Sequence, residues 1–136
     1  MNMTSEQIQA RVPVTILRLQ GDVDGSNFQQ VIDRARELYQ AGARHLLVDL
    51  AGVPYMSSSG LVALHNIALL FRGSTPPDPQ EGWRAIRAMG DASAEGQQPH
   101  VKLLNPQPKV ARVLDQAGLT AFFEIHTDQA AAIGSF

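Results

Sequence analysis

His45-Leu46-Leu47-Val48-Asp49-Leu50 is a short, nearly continuous apolar run. A strand covered on both faces of a parallel sheet needs such a run, because a strand with one wet face alternates instead. The run constrains everything around it. A parallel neighbour is reached only through a crossover, usually a helix, so its flanks should carry helices and further strands. Upstream, Val12, Val14, Ile16, Leu17 and Leu19 predict a strand over 12–19 that stops at Gly21, preceded by a short one through Ile8 and Ala10. Phe28, Val31, Ile32, Ala35 and Leu38 recur at three- and four-residue intervals and predict an amphipathic helix, with Asp24 or Ser26 as N-cap and Gly42 as its stop. Strand, helix and strand make one right-handed βαβ unit.

Downstream, residues 60–71 are apolar except for His65 and Asn66. The stretch is long for a strand and stands where a crossover is needed, so it is predicted to be a helix from about residue 58. Val101, Leu103 and Leu104 predict the next strand, Asn105-Pro106 an N-cap with proline at the first helical position, and Val110, Val113, Leu114 and Ala117 a buried helix face ending at Gly118. A strand over 122–125 and a Thr127-capped helix through Ile133 complete an α/β alternation.

Residues 72–100 break the rhythm. Pro76, Pro77, Pro79 and Pro99, with Gly73, Gly82, Gly90 and Gly96, predict an insertion outside the central core. Trp83, Ile86 and Met89 are spaced for one apolar stripe on a short helix over 80–89. The length of 136 residues otherwise suits a single domain, 1–136.

Composition narrows the function. A net charge of -2 is far from the basic balance of a chain living on phosphate contacts, so no direct nucleic-acid partner is expected. Absence of cysteine removes disulfides, thiolate metal sites and a Cys nucleophile. No apolar run approaches the roughly 18 residues that span a bilayer, so no membrane insertion is expected and the protein reads as cytoplasmic. His45, His65, His100 and His126 show no metal-binding spacing, and Gly21 and Gly25 complete no dinucleotide fingerprint. No metal and no cofactor are predicted.

Residues 49–61, Asp-Leu-Ala-Gly-Val-Pro-Tyr-Met-Ser-Ser-Ser-Gly-Leu, are the most informative segment. Ser57, Ser58 and Ser59 stand where a strand-following loop enters a helix, and free backbone N–H groups there favour an anion. One serine suffices for a cap; three are more than a cap requires. Tyr55 and Met56 either present apolar surface for a partner or pack on the sheet edge. Asp24 is either a helix cap or a partner contact, and the apolar helix beyond Gly60 is either deeply buried or partly covered by a partner.

The segment resembles the signature of STAS domains, specifically the bacterial anti-sigma factor antagonists, whose strand ends in Asp-Leu-Ser-Gly-Val and whose loop reads Asp-Ser-Ser-Gly-Leu. Leu19-Gln20-Gly21-Asp22-Val23-Asp24 is similar to the family's Leu-x-Gly-Glu-Leu-Asp. Asn105-Pro106 through Val110, with Leu114-Asp115-Gln116-Ala117-Gly118-Leu119, resembles its last crossover helix. The resemblance covers about residues 7–72 and 100–135. It implies a STAS-like sheet of four or five strands, mixed with a parallel centre and covered by about four helices. It also implies that Ser58 is phosphorylated by a partner anti-sigma factor with serine kinase activity, a phosphatase being the partner that would reverse it.

In the serine loop the chain departs from the pattern at one residue, Ser57 standing where the family has Asp. Partner contacts are expected at Asp24, Tyr55, Met56, Ser57, Ser59, Gly60 and Leu61. No catalytic residues are expected, since Ser58 sits in no nucleophile elbow and the nearest base in sequence is His65, on the same helix. Two functions of different class remain: an antagonist switched off by phosphorylation and acting on sigma-factor-dependent transcription, or a STAS accessory subunit of a membrane lipid or anion transporter that binds constitutively. Missing the carboxylate at Ser57 favours the second slightly. The sequence leaves the oligomeric state open.

Overall fold

The computed structural model describes residues 1–73 and 98–136. The elements run β1 (Asn2–Gln9), β2 (Pro13–Gln20), α1 (Phe28–Gln40), β3 (Leu46–Gly52), α2 (Ser58–Phe71), β4 (Val101–Leu104), α3 (Pro108–Gln116), β5 (Ile125–His126) and α4 (Gln129–Gly134). The strands form one sheet in the order β1-β2-β3-β4-β5. β1 is antiparallel to β2, and every other neighbour is parallel. Among the described residues this is a five-stranded mixed sheet with a parallel centre and four helices, in line with the four or five strands and about four helices expected from the sequence.

Each parallel step moves one strand along the sheet, and α1, α2 and α3 pack on one and the same face. The main core lies between them and the sheet, where Leu17, Leu19, Leu46, Val48, Leu50, Val101 and Leu103 meet Phe28, Val31 and Ile32 of α1, most of α2, and Val110 and Leu114 of α3. Alternate residues point the other way, and Val14, Ile16, Leu47 and Leu104 pack under Ala132 and Ile133 of α4. Thus β3 is wet on neither face, which is why its run reads as apolar. α2 carries buried side chains at every position from Leu61 to Leu69 because it lies at the centre of its layer.

Two predicted helix stops stand as read: Gly42 and Gly118 have φ of 113° and 77°. Each sits after its helix in a two-bond cap, Gly42 N–H to Tyr39 O and Ala43 N–H to Leu38 O, then Gly118 N–H to Asp115 O and Leu119 N–H to Leu114 O. Several boundaries differ from expectation. The N-cap of α1 is Asn27, not Asp24 or Ser26. The N-cap of α3 is Gln107 with Pro108 at the first helical position, while Asn105 adopts φ 50°. α4 is capped by Asp128, whose carboxylate accepts from Ala131 N–H, not by Thr127. Phe122 and Phe123 lie in a turn, fully buried and 4.9 Å apart edge to face, and the strand begins only at Ile125.

The short strand expected around Ile8 is an eight-residue ladder, pairing with β2 without interruption from Asn2 to Gln9. The helix expected over 80–89 lies outside the described residues. At the end of the expected insertion, Gln98 is buried and donates its N–H to Phe122 O. That end belongs to the core.

Candidate functional site

Three loops meet where the parallel strands end. After β2, residues 21–27 run beside residues 53–57, which follow β3. The two loops are stitched by a parallel bridge between Val23 and Met56, through Val23 N–H to Tyr55 O (3.0 Å) and Ser57 N–H to Val23 O (2.9 Å). From the third loop, Gln107 Nε2 donates to Ala51 O at 2.8 Å. The sheet is thereby extended beyond its strand ends, and α2 starts from this rigid edge.

Ser57 is the N-cap of α2, extended at ψ 177°, with no side-chain capping bond. The first intrahelical bond shown at this end is Leu61 N–H to Ser57 O, so the N–H groups of the first turn point out unpaired by the helix itself. The three serines have different surroundings. Ser57 Oγ is buried and makes no hydrogen bond. Ser59 is half-buried, and its Oγ lies 3.6 Å from where a Cβ on Gly25 would stand. Ser58 alone is exposed.

Gly60 explains the tight fit below them. A Cβ there would run into the Met56 side chain and lie 3.1 Å from Val23 Cγ1 and 3.2 Å from Val23 O. Met56 is 1 % exposed and packs with Val23 and Leu61 in the main core. The apolar surface expected from Tyr55 and Met56 is therefore Tyr55 alone, at 49 % exposure, and Met56 does the packing. Gly60 and Leu61 are buried with it.

Asp24 reaches the same edge, but its carboxylate is turned toward its own loop. Oδ1 accepts from Ser26 N–H at 2.9 Å and from Ser26 Oγ at 2.5 Å, and those bonds hold its pKa below the usual carboxylate value. Its carbonyl accepts from Asn27 and Phe28 N–H, and its own N–H donates to Asn27 Oδ1. Asp24 is thus an ionised residue that shapes the turn into α1 without being its cap.

His65 is buried at 1 % exposure, its ring 5.4 Å from that of Phe122 at a tilt of 45°, and burial pushes its pKa down to about 4. It faces the core and not the exposed Ser58. Gln107 was not singled out from sequence, and Asn105 was read as a helix cap; the signal for their loop was its Asn-Pro-Gln-Pro spelling. Clefts of 320 and 250 Å³ share Gln7, Thr15, Gly42 and Ala43, at the other end of β3 from the serines. Among the described residues there is no cluster of three or more metal-ligating side chains, and no helix is long and apolar enough to cross a membrane.

The family model of the STAS domain matches residues 6–73, half of the chain and the half that carries both stitched loops. The chain belongs to the STAS family. Its fold is similar to that of a candidate anti-sigma factor antagonist from Thermotoga maritima, with TM-score 0.70 and 18% identity, over 96% of this chain and 91% of that one. An anti-sigma factor antagonist from Mycobacterium paratuberculosis gives 0.63 and 14%, over 97% and 92%. Unphosphorylated SpoIIAA, also an anti-sigma factor antagonist, gives 0.59 and 20%, over 97% and 93%. No curated protein matches the sequence. At these identities the likeness carries the STAS fold; the roles of the serine loop rest on its own geometry.

Proposed function

We propose that this STAS domain is a cytoplasmic anti-sigma factor antagonist, a binding module without catalysis of its own. It docks an anti-sigma factor through the serine-loop edge and is switched off when that partner phosphorylates Ser58. The observation that carries the reading is the difference among the three serines. Ser58 offers an exposed hydroxyl on the first residue of α2, while Ser57 Oγ is buried and Ser59 is half-covered. A relative of the same fold, SpoIIAA, has been solved in phosphorylated and unphosphorylated forms.

A phosphoryl group on Ser58 would add about 1.5 to 2 negative charges beside unpaired N–H groups, which favour it by roughly 0.3 to 1 kcal/mol. The fold has no reason to rearrange. In a docked complex the same charge must be desolvated or face like charge, at several kcal/mol, so affinity should fall about a hundredfold or more. Tyr55, exposed beside the loop, supplies the aromatic contact, with Asp24 and Ser59 at its border.

The test is copurification from the native host, with mass spectrometry of partner and phosphosite, followed by titration of the captured partner. Ser58→Ala should bind as wild type and Ser58→Asp should not, with melting temperatures nearly equal. One observation favours a second reading. Ser57 replaces the carboxylate of the motif and its hydroxyl is buried, so a kinase would meet a neutral loop. A STAS subunit bound constitutively to a lipid or anion transporter needs no phosphate, and equal binding by Ser58→Asp would decide for it.

A further inference from the structure

The two edges of the sheet are built unequally. β5 ends one side with two residues. β1 ends the other with eight, in unbroken register with β2 and with all its residues exposed except the half-buried Met3 and Ile8. A long open edge presents a row of unpaired N–H and C=O groups, and proteins that remain single blunt such edges with proline, lysine, bulges or a covering segment. β1, Asn-Met-Thr-Ser-Glu-Gln-Ile-Gln, has no proline, no lysine, no glycine and no bulge, and its only charge is Glu6. Arg18 holds that charge at 2.9 Å on the strand's own sheet.

We propose that β1 pairs with β1 of a second copy of this chain, antiparallel about a two-fold axis through Ser5. The register follows from chemistry. A two-fold normal to the sheet keeps both helical layers on one face, so residues directly opposite must point the same way, odd with odd and even with even. Within that parity, centring the pair on Glu6 sets Glu6 against Glu6 of the second copy, which like charge disfavours. Centring it on Thr4 shortens the ladder. Centring it on Ser5 uses the strand from Asn2 to Ile8 and sets Thr4 opposite Glu6, Met3 opposite Gln7 and Asn2 opposite Ile8, with no like charges opposed.

On the helical face, Arg34 of α1 already reaches across to β1, donating to Ser5 Oγ at 2.9 Å and to Glu37 at 3.1 Å. The axis therefore brings two such Arg34–Glu37 pairs toward each other. The product is one continuous sheet with a serine loop at each of two opposite ends, so the dimer leaves both loops open and presents two docking edges. One strand pair makes a small interface, at or below about 1,200 Å², so assembly is expected at micromolar concentrations and above.

The chain contains no cysteine, which makes the test clean. A single Ser5→Cys variant places its thiol on the axis, opposite its own copy. Opposed residues in an antiparallel pair have Cα atoms about 4.5 to 5.5 Å apart, within disulfide reach. Mild oxidation at about 100 µM should convert Ser5→Cys to a cross-linked dimer, while Gln116→Cys, exposed on α3, stays uncross-linked under the same conditions. Sedimentation velocity of the wild type over about 5 to 500 µM should show a monomer passing to a dimer, and Ser5→Lys, which opposes two lysines at the axis, should shift that transition at least tenfold upward. A wild type that stays monomeric throughout, or a Ser5→Cys that cross-links no faster than Gln116→Cys, overturns the proposal. So does a dimer that Ser5→Lys leaves intact with its melting temperature unchanged.

Discussion

At the residue scale, Gly60 shows how a side chain that is absent positions one that acts. α2 begins directly against the Val23–Met56 bridge, and there is no room between them for a Cβ. In an ordinary helix Gly→Ala stabilises by about 1 kcal/mol. Here the added methyl must displace Met56, which is fully buried and has nowhere to move. Gly60→Ala should therefore destabilise by about 1 to 3 kcal/mol, read as a lower urea midpoint at unchanged slope. The displaced start of α2 should also loosen Ser58, so partner affinity should drop further than stability alone predicts. A neutral or stabilising Gly60→Ala would show that the helix start is not fixed by this contact. The motif Ser-Ser-Ser-Gly-Leu marked the site in the sequence; that the glycine is there for packing, and that Met56 lies beneath it, depends on a loop-to-loop contact that no local pattern encodes.

At the scale of elements, legibility followed how local the deciding interaction is. α1 was readable because its periodicity and the glycine at its end act within a few residues, and α2 because its length and its place between two parallel strands demand a crossover helix. The start of α3 was not. Asn105-Pro106-Gln107-Pro108 offers proline twice, and either could open a helix. The choice is made from outside, where Gln107 Nε2 is fixed to Ala51 O at the end of β3 and Asn105 N–H to His126 O. Asn105 then takes the left-handed conformation that asparagine tolerates. β5 was misplaced for a similar reason: Phe122 and Phe123 are apolar enough for a strand, but both are fully buried from a turn, and only Ile125 and His126 find partners in Leu103 and Leu104. At α4, Thr127 and Asp128 both suit a cap, and the bond to Ala131 N–H selects Asp128. Asp128→Ala should cost about 1 kcal/mol and Thr127→Ala almost nothing, a contrast that thermal melts of the two variants would reveal.

Over the whole molecule, the two faces of the sheet are held by different forces, and acid acts on both. The helical face is apolar and encloses His65, whose two ring nitrogens are buried without hydrogen bonds. The other face is partly ionic: Lys102, 3 % exposed, binds Glu124 at 3.0 Å and the Ser135 carbonyl and hydroxyl, and Arg18 links Glu6, Asp49 and Gln129. His65 has its pKa lowered from 6.5 to about 4 by burial and by the Arg72 charge. His45 is lowered by burial, by its neighbour His100 at 5.3 Å and by Lys102. The unfolded chain takes up these protons near pH 6.5 and the folded chain does not, so the stability they contribute is complete above 6.5 and declines as pH falls toward 4. For His65 the full loss is no more than about 3 kcal/mol. Glu124 has the opposite chemistry. Burial alone would raise its pKa, but hydrogen bonds and charge from Lys102 and His126 lower it, as Ser26 lowers Asp24. Stability from these carboxylates is complete above their ordinary values near 4 and is lost only below that. Acid should therefore weaken the protein in two stages, the first through histidine, His65 on the helical face and His45 beside Phe136 and Lys102 on the other. Melting temperatures from pH 8 to pH 3 should fall between 6.5 and 4 and fall again below 4. His65→Leu, which keeps the volume and removes both unbonded nitrogens, should shrink the first stage, leaving the share of His45, and leave the second. An unchanged slope in that variant would mean that His65 takes up its proton in the folded protein, its second N–H finding an acceptor, and that its burial is not what sets the acid limit of this fold.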